Sequence, residues 1–411
     1  MTTWSRPIGL ALSLIFVVIV IVVALRAPGS GSAPAADLHN GQAFIQDNLW
    51  STARYQYAVW VADDGAPHVG RRRRGEDRWL IRDLVTLPHD PLAAPTRDDL
   101  HNVYAIAVAD GYVHVAGNMH DDRLRYVRGR AARLDRWTAS PTPARGESVT
   151  YPVFTRLLDG TLFFWRREGM SGDGAVQLDA LPPGVSRWRP RGVVLDGRPS
   201  KESPYLHHIA VDPRSGTVHL MFEWRATGSV QTNSDVGYAR SSDGGSTWET
   251  SSGAPLPEPI THARAETVID TAPRGSGLIN TGGLTVDRRG NPHGVVVFDL
   301  PGGRRSLEHV WLDGRTWRRE KLDGGLVDGR PQLAGTPDGR VWLLGARGSM
   351  LTAFDVSPDR PRRDPVAIAR VPLHWEANYD SEALARHGTV EMLIPDDDPH
   401  VVIADLADSE Q

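Results

Sequence analysis

From Tyr55 onward the chain alternates apolar and polar residues in short runs, and each run stops at an Asp-Gly or Gly-rich turn. Examples are YAVWVADDGAPHVG from Tyr57, YAIAVADGYVHVAG from Tyr104, TRLLDGTLFFWRR from Thr155, HIAVDPRSGTVHLMFEWR from His208, LTVDRRGNPHGVVVF from Leu284 and GTPDGRVWLLGA from Gly335. A period of two marks strands with one buried face, and Asp-Gly supplies the backbone freedom that a tight hairpin needs. Each unit therefore predicts strand, turn, strand. No stretch carries a helical period of convincing length, and only HWEANYDSEALARHGTVEMLIP from His374 predicts a short helical turn before the last strand. The units recur every ~45–60 residues, the period of propeller blades. The expected fold is all-β, a single β-propeller of about seven blades. It is expected over residues 45–408, with the last strand pairing with the first blade to remove exposed edges.

The segment SSDGGSTW fits an Asp-box through Ser241, Asp243, Gly245, Thr247 and Trp248, and LDGRTWRRE from Leu312 is a weaker relative. The mechanics of such a box are structural: the carboxylate accepts turn amides, the glycines permit positive φ, and the tryptophan packs into the blade. Asp243 is accordingly expected to serve the fold.

The amino terminus differs from the rest. Arg6 precedes an uncharged apolar run from Ile8 to Leu25, which is followed by Arg26 and a Gly/Ser/Ala/Pro stretch to Ala36. The run is longer than the ~7–15 residues of a usual signal core and approaches the ~20 that span a bilayer. Residues 1–36 are expected to act as a signal-anchor, or as a signal peptide cleaved near Ala33-Pro34-Ala35. Either way the propeller is expected to be extracytoplasmic, anchored to the membrane by one helix or secreted.

The net charge of -4 gives no global basic field to attract nucleic acid, and the run Arg71 to Arg74 reads as a solvated strand face. Nearly all cations are arginines, Lys201 and Lys321 being the only lysines, and codon bias explains that as well as anion recognition does. The absence of cysteine excludes disulfides, thiol nucleophiles and thiolate metal sites. HExxH and His-x-His spacings are missing as well, so no metal or other cofactor is expected to be required, and a structural ion has no motif to support it.

Chemistry concentrates in HNVYAIAVADGYVHVAGNMHDDRLRYVRG. Its central hairpin turns at Asp110-Gly111 and brings His101 and His120 toward neighbouring strand ends. Histidine titrates near neutrality, so a pair at one rim suits proton transfer, although rim histidines often only hold loop backbone. Arg167, flanked by Phe163, Phe164, Trp165 and a Gly-rich turn, needs an anion if buried, whether a substrate or a neighbouring Asp. His114 and His219 read as in-strand core histidines.

The order of motifs from about Tyr55 to Leu406 resembles the BNR-repeat-containing family related to ulvan-type polysaccharide lyases, which are seven-bladed β-propellers. The matching stretches are YAVWVADDG, HN at His101-Asn102, DGYVHVAGNMH, LRY at Leu124 to Tyr126, VTYPVF around Tyr151 and FFWRREGMSGDG with Arg167. They continue with SPYLHHIAVD holding Tyr205, NSDVGYARSSDGGSTW, LINTGGLTVDRRGNPH, GRPQL and WEANYD. The resemblance implies cleavage of a uronic-acid glycan by β-elimination. It suggests His120 and Tyr151 for proton transfer and Arg167 and His101 as neutralisers of the substrate carboxylate, with the roles interchangeable. Asn102, Arg125, Tyr205 and Asn233 are implied on the substrate side. An acidic polysaccharide is the expected partner and the chain is expected to be a monomer. Ser234 stands where a histidine is expected beside Asn233, and the stretch between the His120 and Tyr151 motifs is short; both departures favour a non-catalytic, membrane-tethered glycan-binding propeller as the alternative. A sialidase-type glycoside hydrolase fits less well, because its characteristic arginine motif is not found.

Overall fold

The computed structural model describes residues 47–62, 66–84, 92, 99–139, 142–143, 146–372, 375–394 and 399–407. The Asp-Gly punctuation does set the hairpins. Tyr104–Ala109 pairs with Tyr112–Gly117 across a turn in which Asp110 and Gly111 both have positive φ, 47° and 77°. Consecutive hairpins build antiparallel sheets in chain order. Leu49–Ser51, Tyr55–Val61, Pro67–Arg73 and Trp79–Asp83 form the first, and Tyr104–Ala109, Tyr112–Gly117, Tyr126–Arg130 and Asp135–Thr138 the second.

The third sheet has six strands. Val149–Arg156, Leu162–Met170, Asp173–Leu181 and Arg189–Asp196 meander through it, with His120–Asp122 added at one edge and Ile260–Thr261 at the other. The fourth, of seven strands, is built around Val218–Arg225 and Asn233–Ser241. Leu278–Val286 to Thr316–Asp323 and Gln332–Gly335 to Val366–Arg370 supply two further four-stranded sheets, and Val390–Ile394 with His400–Ala404 ends the chain as a two-stranded hairpin. The fold is an all-β propeller. Neighbouring sheets pack through shared apolar clusters: Phe163, Trp165 and Leu178 of the third meet Leu220, Phe222 and Trp224 of the fourth.

The Asp-box behaves as its chemistry requires. Asp243 accepts the amides of Ser246 (3.0 Å) and Thr247 (2.9 Å) and the Thr247 hydroxyl (2.7 Å), while Trp248 is buried against Trp165 at 6.1 Å. The short helix is also where the pattern puts it, at Ser381–His387, capped by Asp380 and ended by Gly388 at φ 72°.

Three expectations are corrected. The count of about seven blades is not confirmed: among the described residues the last sheet is only a two-stranded hairpin, so fewer than seven sheets have the four strands of a blade. The last strand does not pair with the first blade. Among the described residues Val390–Ile394 pairs only with His400–Ala404 in the sheet, and this hairpin meets the first sheet through side chains, Glu391 accepting from Ser51, Gln56 and Arg74. Finally, no helix among the described residues is long and apolar enough to cross a membrane. The run Ile8 to Leu25 lies outside those residues, and its apolarity reports hydrophobicity without establishing a spanning helix. Membrane anchoring, and the extracytoplasmic, signal-bearing or secreted placement argued from that run, are therefore not supported.

Candidate functional site

Thr150 organises one rim of the third sheet. It pairs with His120 on the edge strand and with Arg167 on the following strand, so these two candidate residues flank it across three hydrogen-bonded strands. Its Oγ1 accepts from Arg167 Nη2 at 3.1 Å and from the Asp121 amide at 2.9 Å. The register then slips between Thr150 and Val153, a bulge in which Tyr151 adopts φ 58°, a conformation a bulky side chain rarely takes. The proline at 152 has no amide to offer a ladder, which suits the slip. This local strain turns the tyrosine ring toward the arginine.

The Arg167 guanidinium lies between two tyrosines, its Cζ 5.0 Å from the Tyr151 ring centre and 4.9 Å from that of Tyr205. The residue is 4% exposed, and its Nε and Nη1 have no hydrogen-bond partner among the described residues. A buried cation with two unsatisfied donor atoms is a ready receptor for an anion. Tyr205 lies 5.8 Å from Tyr151, edge to face, and its hydroxyl meets Ser171 Oγ at 2.6 Å and Arg225 Nη1 at 3.3 Å. Arg225 in turn is held by Asn233 Oδ1 at 2.6 Å and by Asn280 Oδ1.

His101 and His120 stack with ring centres 4.1 Å apart and planes 17° from parallel, and His101 is 6.1 Å from the Tyr151 ring. One carboxylate serves both. Asp99 Oδ1 is 2.9 Å from His101 Nδ1 and Oδ2 is 2.6 Å from His120 Nδ1. Burial alone would raise the Asp99 pKa, but the hydrogen bonds from His120 and His101 hold it down at about 2. An ionised carboxylate can only accept, so each Nδ1 carries the proton and each ring offers Nε2 as its basic nitrogen. Burial lowers His101 below its ordinary value, with His120 and Arg167 acting in the same sense against the Asp99 hydrogen bond. Tyr151 is pushed up to about 12 by burial, with Arg167 opposing, and stays protonated at neutral pH.

Of the residues expected from sequence, His101, His120, Tyr151, Arg167, Tyr205 and Asn233 fall into this one connected cluster. Asn102 is buried beside it in the turn, its amide donating to the Asp99 carbonyl at 3.2 Å. Arg125 is engaged elsewhere, with the Asn118 carbonyl at 3.0 Å and with Asp122. Asp99, Thr150, Arg225, Asn280 and Ser171 were not foreseen. Asp99 lies two residues before His101, and that proximity was the signal available for it.

A family model described as BNR repeat-containing family member matches residues 55–324. No curated protein matches the sequence. Among solved structures, the polysaccharide lyase Uly1 superposes with a TM-score of 0.65 at 15% identity, over 87% of this chain and 88% of that one. A PL25 ulvan lyase bound to -[GlcA(1-4)Rha3S]- gives 0.65 at 12% identity, over 88% and 92%. At such identities the likeness is one of fold. The family match spans well over half of the chain, so the protein belongs to the BNR repeat-containing family.

Proposed function

We propose that the protein is a carbohydrate-active enzyme, a polysaccharide lyase that cleaves a uronic-acid-containing glycan by β-elimination. The observation that carries this reading is the buried Arg167 guanidinium, with Nε and Nη1 unpartnered, held between Tyr151 and Tyr205 beside the stacked histidines. Elimination needs the negative charge on the substrate carboxylate to be stabilised before the C5 proton becomes acidic enough to leave, and a planar, permanently charged guanidinium does this best. One of the stacked imidazoles takes the C5 proton. The released electron pair forms the C4–C5 double bond, the C4–O4 bond breaks, and Tyr151 returns a proton to O4. The fold it shares with the two solved lyases is consistent with this and adds no residue roles.

A second reading, glycan binding without turnover, is favoured by one observation: Tyr151 and Arg167 are only 6% and 4% exposed, so a carboxylate reaching the guanidinium must displace a ring. One experiment separates the two. The protein is incubated with glucuronan- and ulvan-type polymers, and the ultraviolet absorbance of unsaturated uronate is followed alongside retention of intact polymer. Lyase action gives rising absorbance that Arg167→Met abolishes. Retention with no unsaturated product on any uronate polymer would sink the lyase and leave the binder.

A further inference from the structure

We propose that Asp99, His101 and His120 form a binding site for one divalent transition ion of the zinc class. One ligand atom from each of the three side chains can be chosen so that all lie within 4.8 Å of one another, and this is the one such group of three among the described residues. The stacking of the rings points both Nδ1 atoms at the same carboxylate, at 2.9 and 2.6 Å, so the three donors already converge from two separate elements, the turn before Tyr104–Ala109 and the strand His120–Asp122.

The donor set selects the ion. Two imidazole nitrogens and one carboxylate suit zinc and its neighbours, whereas calcium asks for 6–8 oxygens and magnesium for a near-octahedral oxygen shell. The chain has no cysteine to offer a softer competing site. The three side chains are between 33% and 36% exposed, so solvent or a ligand atom reaches a fourth position. Three protein ligands with one open position is the arrangement of a zinc site that exchanges its fourth ligand.

Coordination also changes the protons. In the hydrogen-bonded state each Nδ1 bears hydrogen; the ion needs that lone pair, so in each neutral ring the proton moves from Nδ1 to Nε2 with none released. Nε2 then changes from acceptor to donor. Metal binding and general-base action at this pair are therefore mutually exclusive, and zinc acts as an inhibitor of any proton abstraction there.

The test needs no glycan, so its result is independent of the lyase reading. The full chain is stripped with EDTA and titrated calorimetrically with zinc chloride at neutral pH, then with magnesium and calcium chloride. One saturating zinc site is expected and no heat from the other two ions. Asp99→Asn and His120→Gln should each weaken zinc on the order of 10-fold or more, with unchanged near-ultraviolet circular dichroism. His120 is a rim residue, so its variant keeps the test open if Asp99→Asn misfolds. No zinc uptake by the wild type, or equal stoichiometry and affinity in a His101→Gln/His120→Gln double variant, overturns the proposal.

Discussion

His120 and Arg167 are neighbours of the same residue, Thr150, one on each side of it across three consecutive strands, although 47 positions separate them in the chain. The relationship exists because His120–Asp122 leaves the sheet of its own hairpin and adds to the edge of the next. His120 is thus carried on the same sheet that holds the arginine, where backbone hydrogen bonds fix their spacing, while His101 stacks on it from the turn before Tyr104–Ala109. Rigid placement of this kind is what a proton-transfer site requires.

Tyr151→Phe tests the proton donor. The ring, its packing against Tyr205 and the bulge at φ 58° are all retained, and only the hydroxyl is removed. If Tyr151 protonates the leaving oxygen, kcat on a cleavable uronate polymer should fall about 10²–10⁴-fold, with the thermal midpoint within a degree or two of wild type. A variant with full activity removes Tyr151 from the mechanism.

Arg167→Met separates function from stability. The cation is buried with two donor atoms unpartnered, so the folded state carries a desolvation cost that the flanking tyrosine rings offset only in part. An apolar chain of similar length should leave the midpoint unchanged or raise it, a gain on the order of 1 kcal/mol, while unsaturated product disappears. A large fall in the melting midpoint would mean that the guanidinium is chiefly structural.

The contrast between what the sequence showed and what it concealed has a physical basis. Period-two alternation and Asp-Gly pairs act over a few residues, so the hairpins, the Asp243 turn and the Asp380-capped helix were legible. The cluster of His101, His120, Tyr151 and Arg167 was reached through the order of motifs, since spacing alone does not say that the strand at His120 crosses to another sheet. Asp99 was missed because its nearness to His101 does not tell it from Asp98 beside it; its position appears only when two rings converge on it. The pairing of Arg125 with Asp122 was equally illegible, since it depends on how the strand at His120 turns back toward Leu124. Blade count and ring closure depend on side-chain contacts hundreds of residues apart, such as that of Ser51 with Glu391, which no local signal encodes.

His114 and His219 give a pH prediction. Each is buried on the second strand of a hairpin and bonds a tyrosine hydroxyl through Nδ1, Tyr126 and Tyr238 respectively, both at 2.7 Å. Burial lowers His114 to about 3 and His219 to about 4 from the ordinary 6.5. Below pH 6.5 the unfolded chain takes up these protons before the folded one does, so the stabilisation is complete above that pH and is lost as pH falls toward 4. Asp380 and Glu382, raised by burial to about 8 and about 7, work in the opposite direction as pH falls through neutrality. Comparing wild type with His219→Gln isolates the histidine: between pH 7 and pH 4 the wild type should lose about 3 kcal/mol more than the variant, read from denaturant midpoints at each pH. Parallel losses would show that His219 does not titrate on unfolding.

Glu391 tests how the last hairpin is joined to the first sheet. It is fully buried in Val390–Ile394 and accepts from Ser51 Oγ at 3.0 Å, from Arg74 Nη1 at 2.8 Å and from Gln56, all of which belong to the first sheet or the turn following its third strand. Because no strand ladder joins the last hairpin to the first sheet among the described residues, this carboxylate, together with the Trp79 indole donating to the Pro399 carbonyl at 2.6 Å, supplies polar contacts at the junction, next to the apolar contact of Leu393 with Leu49, Ala58 and Trp60. Glu391→Ala leaves four side-chain donors without their acceptor, Thr389 Oγ1 among them and one of them a cation, and should cost about 3–5 kcal/mol. Glu320→Ala, which removes an exposed pairing with Arg362, should change stability by less than about 1 kcal/mol. Denaturant unfolding followed by tryptophan fluorescence measures both, since Trp60 and Trp79 lie at the junction. Equal, small effects of the two variants would assign the junction to its remaining contacts.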